Sequence, residues 1–227
     1  MSHYKNGAPS SPPSPILQSA LFSGLEAISP VCVPVCVSRA EAAADARQIK
    51  DKLCEKLGAP VFIDSDDLMD LRRLQLQVTQ SDVLVLFQTR NLLTRPWCLV
   101  EIFTALKNEV PIVAVCVAGA FPYDFADAQK FLDNFEVELE ARNPGAGEVV
   151  RQCGIELAEM ARLLQESVPF IISKRWEPGA SQAVLDAQLE DIVQAMESAK
   201  QQHSMAEFSV ELPSSAVRGG RLGDNLL

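Results

Sequence analysis

Asp82-Val83-Leu84-Val85-Leu86-Phe87 is apolar at every position after its first residue. A strand with one wet face alternates apolar and polar side chains. An unbroken β-branched and aliphatic run of this length, preceded by Ser81 and followed by Gln88, is instead the pattern of a strand covered on both faces, as in the middle of a parallel sheet.

Working outward, short apolar runs alternate with helical spacing. Val31 to Val37 reads as a strand, and Ala40 to Leu57 as a helix ended by Gly58. Pro60 to Ile63 is a strand and Leu71 to Thr79 a helix. On the other side of the central run, Arg95 to Glu109 is a helix and Pro111 to Val117 a strand. A mostly helical stretch from Phe121 to Glu166 is interrupted near Asn143-Pro144-Gly145. Val168 to Ile172 is read as the fifth strand and Ala183 to Ala199 as the last helix. Repeated strand–helix units require right-handed crossovers and a parallel sheet with helices on both faces. The expected architecture is therefore α/β, a flavodoxin-like five-stranded sheet in the order 2-1-3-4-5. Ligands in such sheets sit beyond the carboxyl ends of the strands. Here those segments are Ser38–Glu41, Asp64–Leu71, Gln88–Trp97 and Ala118–Tyr123.

The domain is expected over residues 30–199, between a Pro/Ser-rich leader at 1–29, with a short helix from Leu17 to Ile28, and a polar tail at 200–227. Apolar residues make up 48% of the 227, enough for a core, and the formal net charge is -10. An acidic surface disfavours nucleic acid and anionic membrane as partners, because both are met by Lys and Arg. The polar N-terminus shows no secretory signal, and no apolar run reaches the roughly 20 residues that span a bilayer. The expectation is a soluble, cytoplasmic chain.

Six cysteines are scattered singly, as buried small hydrophobes in a reducing compartment would be. Both histidines, His3 and His203, fall in the expected tails. Ser-His-Asp and Cys-His catalysis and most zinc sites are thereby excluded from the domain. Asp64, Asp66, Asp67 and Asp70 form an acidic cluster, but Met69 and Gln75 stand where a calcium loop needs Gly and Glu. A metal-dependent phosphatase is the reading this disfavours; a solvated loop that caps the next helix is the plainer one. No metal is expected. Phosphate-binding glycine loops are absent, since Gly219-Gly220-Arg221-Leu222-Gly223 follows no strand.

The remaining feature is Arg95-Pro96-Trp97-Cys98-Leu99-Val100-Glu101. Pro96 suits a first helical turn, and Thr94 or Arg95 can cap it. Trp97 and Glu101 are four residues apart and share a face. A ring and a carboxylate are thus held on a rigid element at the carboxyl rim of the sheet. The ring could stack on a base, and the carboxylate could hold a sugar hydroxyl or an oxocarbenium-like cation. The pattern equally admits Trp97 as a core residue.

At these residues the chain resembles Toll/interleukin-receptor (TIR) domains. The resemblance runs from about Val31 to Ala199. Its blocks are Val35-Cys36-Val37-Ser38, the segment Val61 to Leu68, Ser81 to Leu86, Thr94 to Leu106 with its Trp-Cys-x-x-Glu core, and Pro111 to Val115. Lys174-Arg175-Trp176 falls where the family's third box, after the last strand, is expected. The resemblance implies one of two functions. Either the domain cleaves NAD⁺ to nicotinamide and ADP-ribose or a cyclic product when self-associated, in signalling or innate immune defence, or it is a non-catalytic scaffold binding its own kind or other TIR domains. In the first case Glu101 is the catalytic residue. Trp97, Arg39, Ser38, Asp64 and Leu71 are then at the substrate, and Asp66, Asp67, Leu68 and Asp70 belong to a loop that joins neighbouring copies. NAD⁺ is a substrate here and no cofactor is implied.

Overall fold

The computed structural model describes residues 33–36, 39–58, 61–63 and 71–210, with side chains at 44, 46–58, 61 and 74–205. Its elements are β1 (Val33–Cys36), α1 (Arg39–Leu57), β2 (Val61–Ile63), α2 (Leu71–Thr79), β3 (Leu84–Gln88), α3 (Pro96–Lys107), β4 (Ile112–Val117), α4 (Phe125–Asp133), α5 (Phe135–Arg142), α6 (Ala146–Gln152), α7 (Leu157–Ser167), β5 (Lys174–Trp176) and α8 (Gln182–Val210). The five strands lie in the order β2-β1-β3-β4-β5, and each neighbouring pair is parallel. Val35 stands between Ile63 and Val85, Leu86 beside Ala114, and Val117 beside Trp176.

Period-two geometry divides β3 between two cores. Val83, Val85 and Phe87 pack with residues of α1, β4, β5 and α8. Leu84 and Leu86 pack with residues of α2, α3 and α4 to α7. Both faces are dry, and so the run is apolar throughout. Gly58 ends α1 at φ 60°, its N–H donating to the Cys54 carbonyl at 3.0 Å, the left-handed stop expected there.

Two boundaries differ from the sequence expectation. Val168–Phe170 is not a strand but a 3-10 turn leaving α7. Pro169 has no N–H to give a ladder, and its fixed φ suits the helical turn. Phe170 is 77% and Ile172 89% exposed. The fifth strand is Lys174–Trp176, so the segment expected after the last strand is that strand itself. The last helix does not stop at Ala199. It continues to Val210, and Lys200 donates to Asp82 at 2.8 Å, tying the expected tail to the entry of β3. The leader, its helix at Leu17–Ile28 and residues 211–227 lie outside the described residues.

The helical stretch before β5 resolves into α4 to α7. Asn143, at the interruption, reaches back so that its Nδ2 donates to the Thr94 carbonyl at 2.9 Å. Asp124 caps α4, its side chain accepting from Ala126 N at 2.9 Å and Asp127 N at 3.0 Å. Asp124→Ala is expected to lower stability by about 1 kcal/mol, read by denaturant unfolding. Arg142 donates to both oxygens of Asp127 and to Glu138. That hydrogen bonding holds the Asp127 carboxyl below its ordinary range. A depressed folded value stabilises above the unfolded carboxylate value and is lost as pH falls through the folded one. Wild type is therefore expected to melt above Asp127→Asn at neutral pH, with the difference closing below about pH 4, in thermal melts across pH.

Candidate functional site

The loop from β3 into α3 is short and locked. Arg95 occupies the cap position without a side-chain hydrogen bond, while Thr94 Oγ1 donates to the Asn91 carbonyl instead. Pro96 starts the helix as expected. Cys98 to Ala105 are all buried, so α3 is dry on every side rather than on one face. The sheet covers part of it, and α2, α6 and α7 cover the rest.

Trp97 is half-buried and packs against this core. Glu101, about 6 Å further along the axis, is 1% exposed. Shielding a carboxylate from water costs several kcal/mol before its partners are counted. Such a group therefore stands apart from the solvated surface acids of this chain, and buried titratable groups at a sheet's carboxyl rim are candidates for chemistry. Trp97 and Glu101 lie one turn apart on α3. The structure describes only the backbone of Arg39 and Leu71, at the first positions of α1 and α2. Ser38, Asp64, Asp66, Asp67, Leu68 and Asp70 lie outside the described residues.

Among the described residues, one cavity of about 720 Å³ lies beside Arg90, Tyr123, Phe125 and Lys130. Another of about 460 Å³ lies beside Cys116, Val117, Phe125 and Lys174. Neither is lined by Trp97 or Glu101. The first is lined from the loops after β3 and β4 and from α4, the second from the end of β4, the segment after it and the first residues of β5. The sequence pointed to two of the loops involved, Gln88–Trp97 and Ala118–Tyr123, but not to Phe125 and Lys130 on α4. Phe125, directly after the capping Asp124, was the available signal for them.

Cys54, Cys98, Cys116 and Cys153 are free thiols. Burial pushes the Cys116 and Cys153 thiols up. Among the described residues no cluster of His, Cys, Asp and Glu could hold a metal ion, and no helix is long and apolar enough to cross a membrane.

No family model and no curated protein sequence matches the chain. Among solved structures it is similar to the TIR domains in the structure of the activated Roq1 resistosome directly recognizing the pathogen effector XopQ. The TM-score is 0.50 at 16% identity, over 73% of this chain and 99% of that one. At that identity the likeness concerns the fold: a TIR-like α/β arrangement of parallel sheet and helices.

Proposed function

We propose that the chain is a TIR-type NAD⁺ glycohydrolase that cleaves NAD⁺ to nicotinamide and ADP-ribose, or a cyclic product, when copies associate in cytoplasmic signalling or defence. The observation that carries this reading is Glu101: a carboxylate 1% exposed, one turn past Trp97 on α3, the helix that follows the central strand of a TIR-like sheet. The reaction suits a site without histidine. The bond from C1′ of the ribose to the nicotinamide nitrogen breaks, and its electron pair leaves with the ring, which was cationic and becomes neutral. No general acid is required. Positive charge develops at C1′, where the Glu101 carboxylate stabilises it and holds the ribose hydroxyls. Water then adds to C1′ and releases a proton, giving ADP-ribose.

Trp97 walls the nicotinamide side. Ser38 and Arg39 meet ribose or phosphate, Asp64 and Leu71 bound the mouth, and the Asp66, Asp67, Leu68 and Asp70 segment of a neighbouring copy completes it. The test is NAD⁺ depletion by wild type and Glu101→Ala at high protein concentration. Loss of cleavage in the variant is expected; equal cleavage by both removes Glu101 from the chemistry.

A second reading, a non-catalytic module acting through homotypic binding, is favoured by one observation. Neither described cavity is bordered by Trp97 or Glu101. It predicts no cleavage by wild type under any assembly condition.

A further inference from the structure

The two cavities share Pro122 and Phe125. Their frame is rigid. Thr89 pairs with Pro122 in an antiparallel bridge, and Arg90 N donates to the Phe121 carbonyl at 3.2 Å. The Arg90 side chain therefore leaves a fixed point of backbone. Lys130 stands one turn along α4 from Ala126 and Asp127, on the face that borders the same cavity.

The larger cavity is lined by two cations, Arg90 and Lys130, and two carboxylates, Asp124 and Asp127. Both its carboxylates are engaged inside the protein, Asp124 on the N-terminal amides of α4 and Asp127 on the Arg142 guanidinium. Among the described residues neither Arg90 nor Lys130 lies within ion-pair distance of a carboxylate, although the Lys130 charge helps to hold Asp127 ionised. Two exposed cations thus face one concavity in a chain of net charge -10. Beside them Tyr123 and Phe125 form an edge-on aromatic pair with centroids 4.9 Å apart. Burial keeps the Tyr123 phenol neutral, its pKa pushed up to about 12. Phe125 is 57% exposed and stands between the two cavities. The smaller cavity beyond it has an apolar wall of Val117, Ala118 and Phe125. Its thiol, on Cys116, is held neutral by burial.

We propose that the two cavities form one binding site for a phosphorylated small molecule with a planar body, the nucleotide class. Its phosphate lies against Arg90 and Lys130, and its ring crosses Phe125 into the apolar cavity. Exposed guanidinium and ammonium groups match phosphate oxygens, and an exposed aromatic face matches a flat ring. This site is separate from the Trp97–Glu101 face.

The test is calorimetric titration of the full chain with ADP, pyrophosphate and adenosine. ADP is expected to bind more tightly than either of the others. The Arg90→Ala/Lys130→Ala double variant is expected to weaken ADP by about tenfold or more, since hydrogen bonds to charged groups carry energies of that order. Phe125→Ala is expected to weaken ADP and leave pyrophosphate unchanged. All three positions are exposed, so unchanged melting of the variants is expected and excludes loss of fold. Absence of ADP binding overturns the proposal. So do indifference to the double variant, pyrophosphate binding as tight as ADP, or loss of ADP binding in Glu101→Gln, which would seat ADP at the other face. The titration does not read NAD⁺ cleavage. Its failure leaves the glycohydrolase reading standing, and an absence of cleavage leaves this site standing.

Discussion

Glu101→Gln is expected to slow NAD⁺ cleavage by about 10²–10³-fold while leaving the melting temperature within a few degrees of wild type. Gln keeps the length and planarity of the side chain and removes only its charge. On the glycohydrolase reading the charge acts when C1′ becomes cationic, so the loss falls on kcat and leaves KM nearly unchanged. A structural role for Glu101 predicts another pattern. At 1% exposure the site tolerates little change of shape, so a group important only for packing or hydrogen bonding would appear in the melt and not in kcat. Steady-state kinetics and a thermal melt on the same preparations separate the two. A variant that melts normally and cleaves at the wild-type rate removes the carboxylate from the mechanism.

Phe87→Ala is expected to cost about 3–5 kcal/mol, by truncation of a large side chain and the cavity left behind. Phe87 is fully buried on β3, the strand in the middle of the sheet, within the core shared by α1 and α8. Backbone pairing on both sides restrains β3 and limits how far the site can collapse around a void. Domain stabilities are only about 5–15 kcal/mol, so the variant would stand near the edge of folding at 25 °C. Val137→Ala is the control. Val137 is 73% exposed on α5, and a change within about 0.5 kcal/mol is expected there. Denaturant unfolding of the three proteins measures both effects, and a Phe87→Ala cost below 1 kcal/mol would show that the two-sided burial of β3 has been misjudged.

The legible parts of the fold were those in which burial is complete. Leu84 to Phe87 and Val113 to Val115 lie in the middle of the sheet, and central parallel strands are written in apolar residues because both faces must be dry. The edge strand Lys174–Trp176 was not legible. It pairs with β4 alone, and its one fully buried side chain, Trp176, supplies too short a pattern to read. Val168 to Ile172 carried the more strand-like composition, yet Pro169 and the end of α7 claim it. The C-terminal limit was missed for a related reason. Polarity near Lys200 resembles a tail, but the helix runs on to Val210, with a long-range ion pair between Lys200 and Asp82.

The sequence by itself determined the α/β class, the position of Pro96 at the head of α3 and the four-residue spacing of Trp97 and Glu101, because each is a local property of backbone geometry. Only the tertiary structure decided how deep Glu101 lies. It sits on a helix buried from Cys98 to Ala105, against which α2, α6 and α7 pack from segments distant along the chain. Tertiary structure likewise decided that Arg90 and Lys130 share a cavity. One follows β3 and the other sits on α4, and what unites them is the pairing of the loops after β3 and β4, a contact between segments distant along the chain that no local pattern encodes.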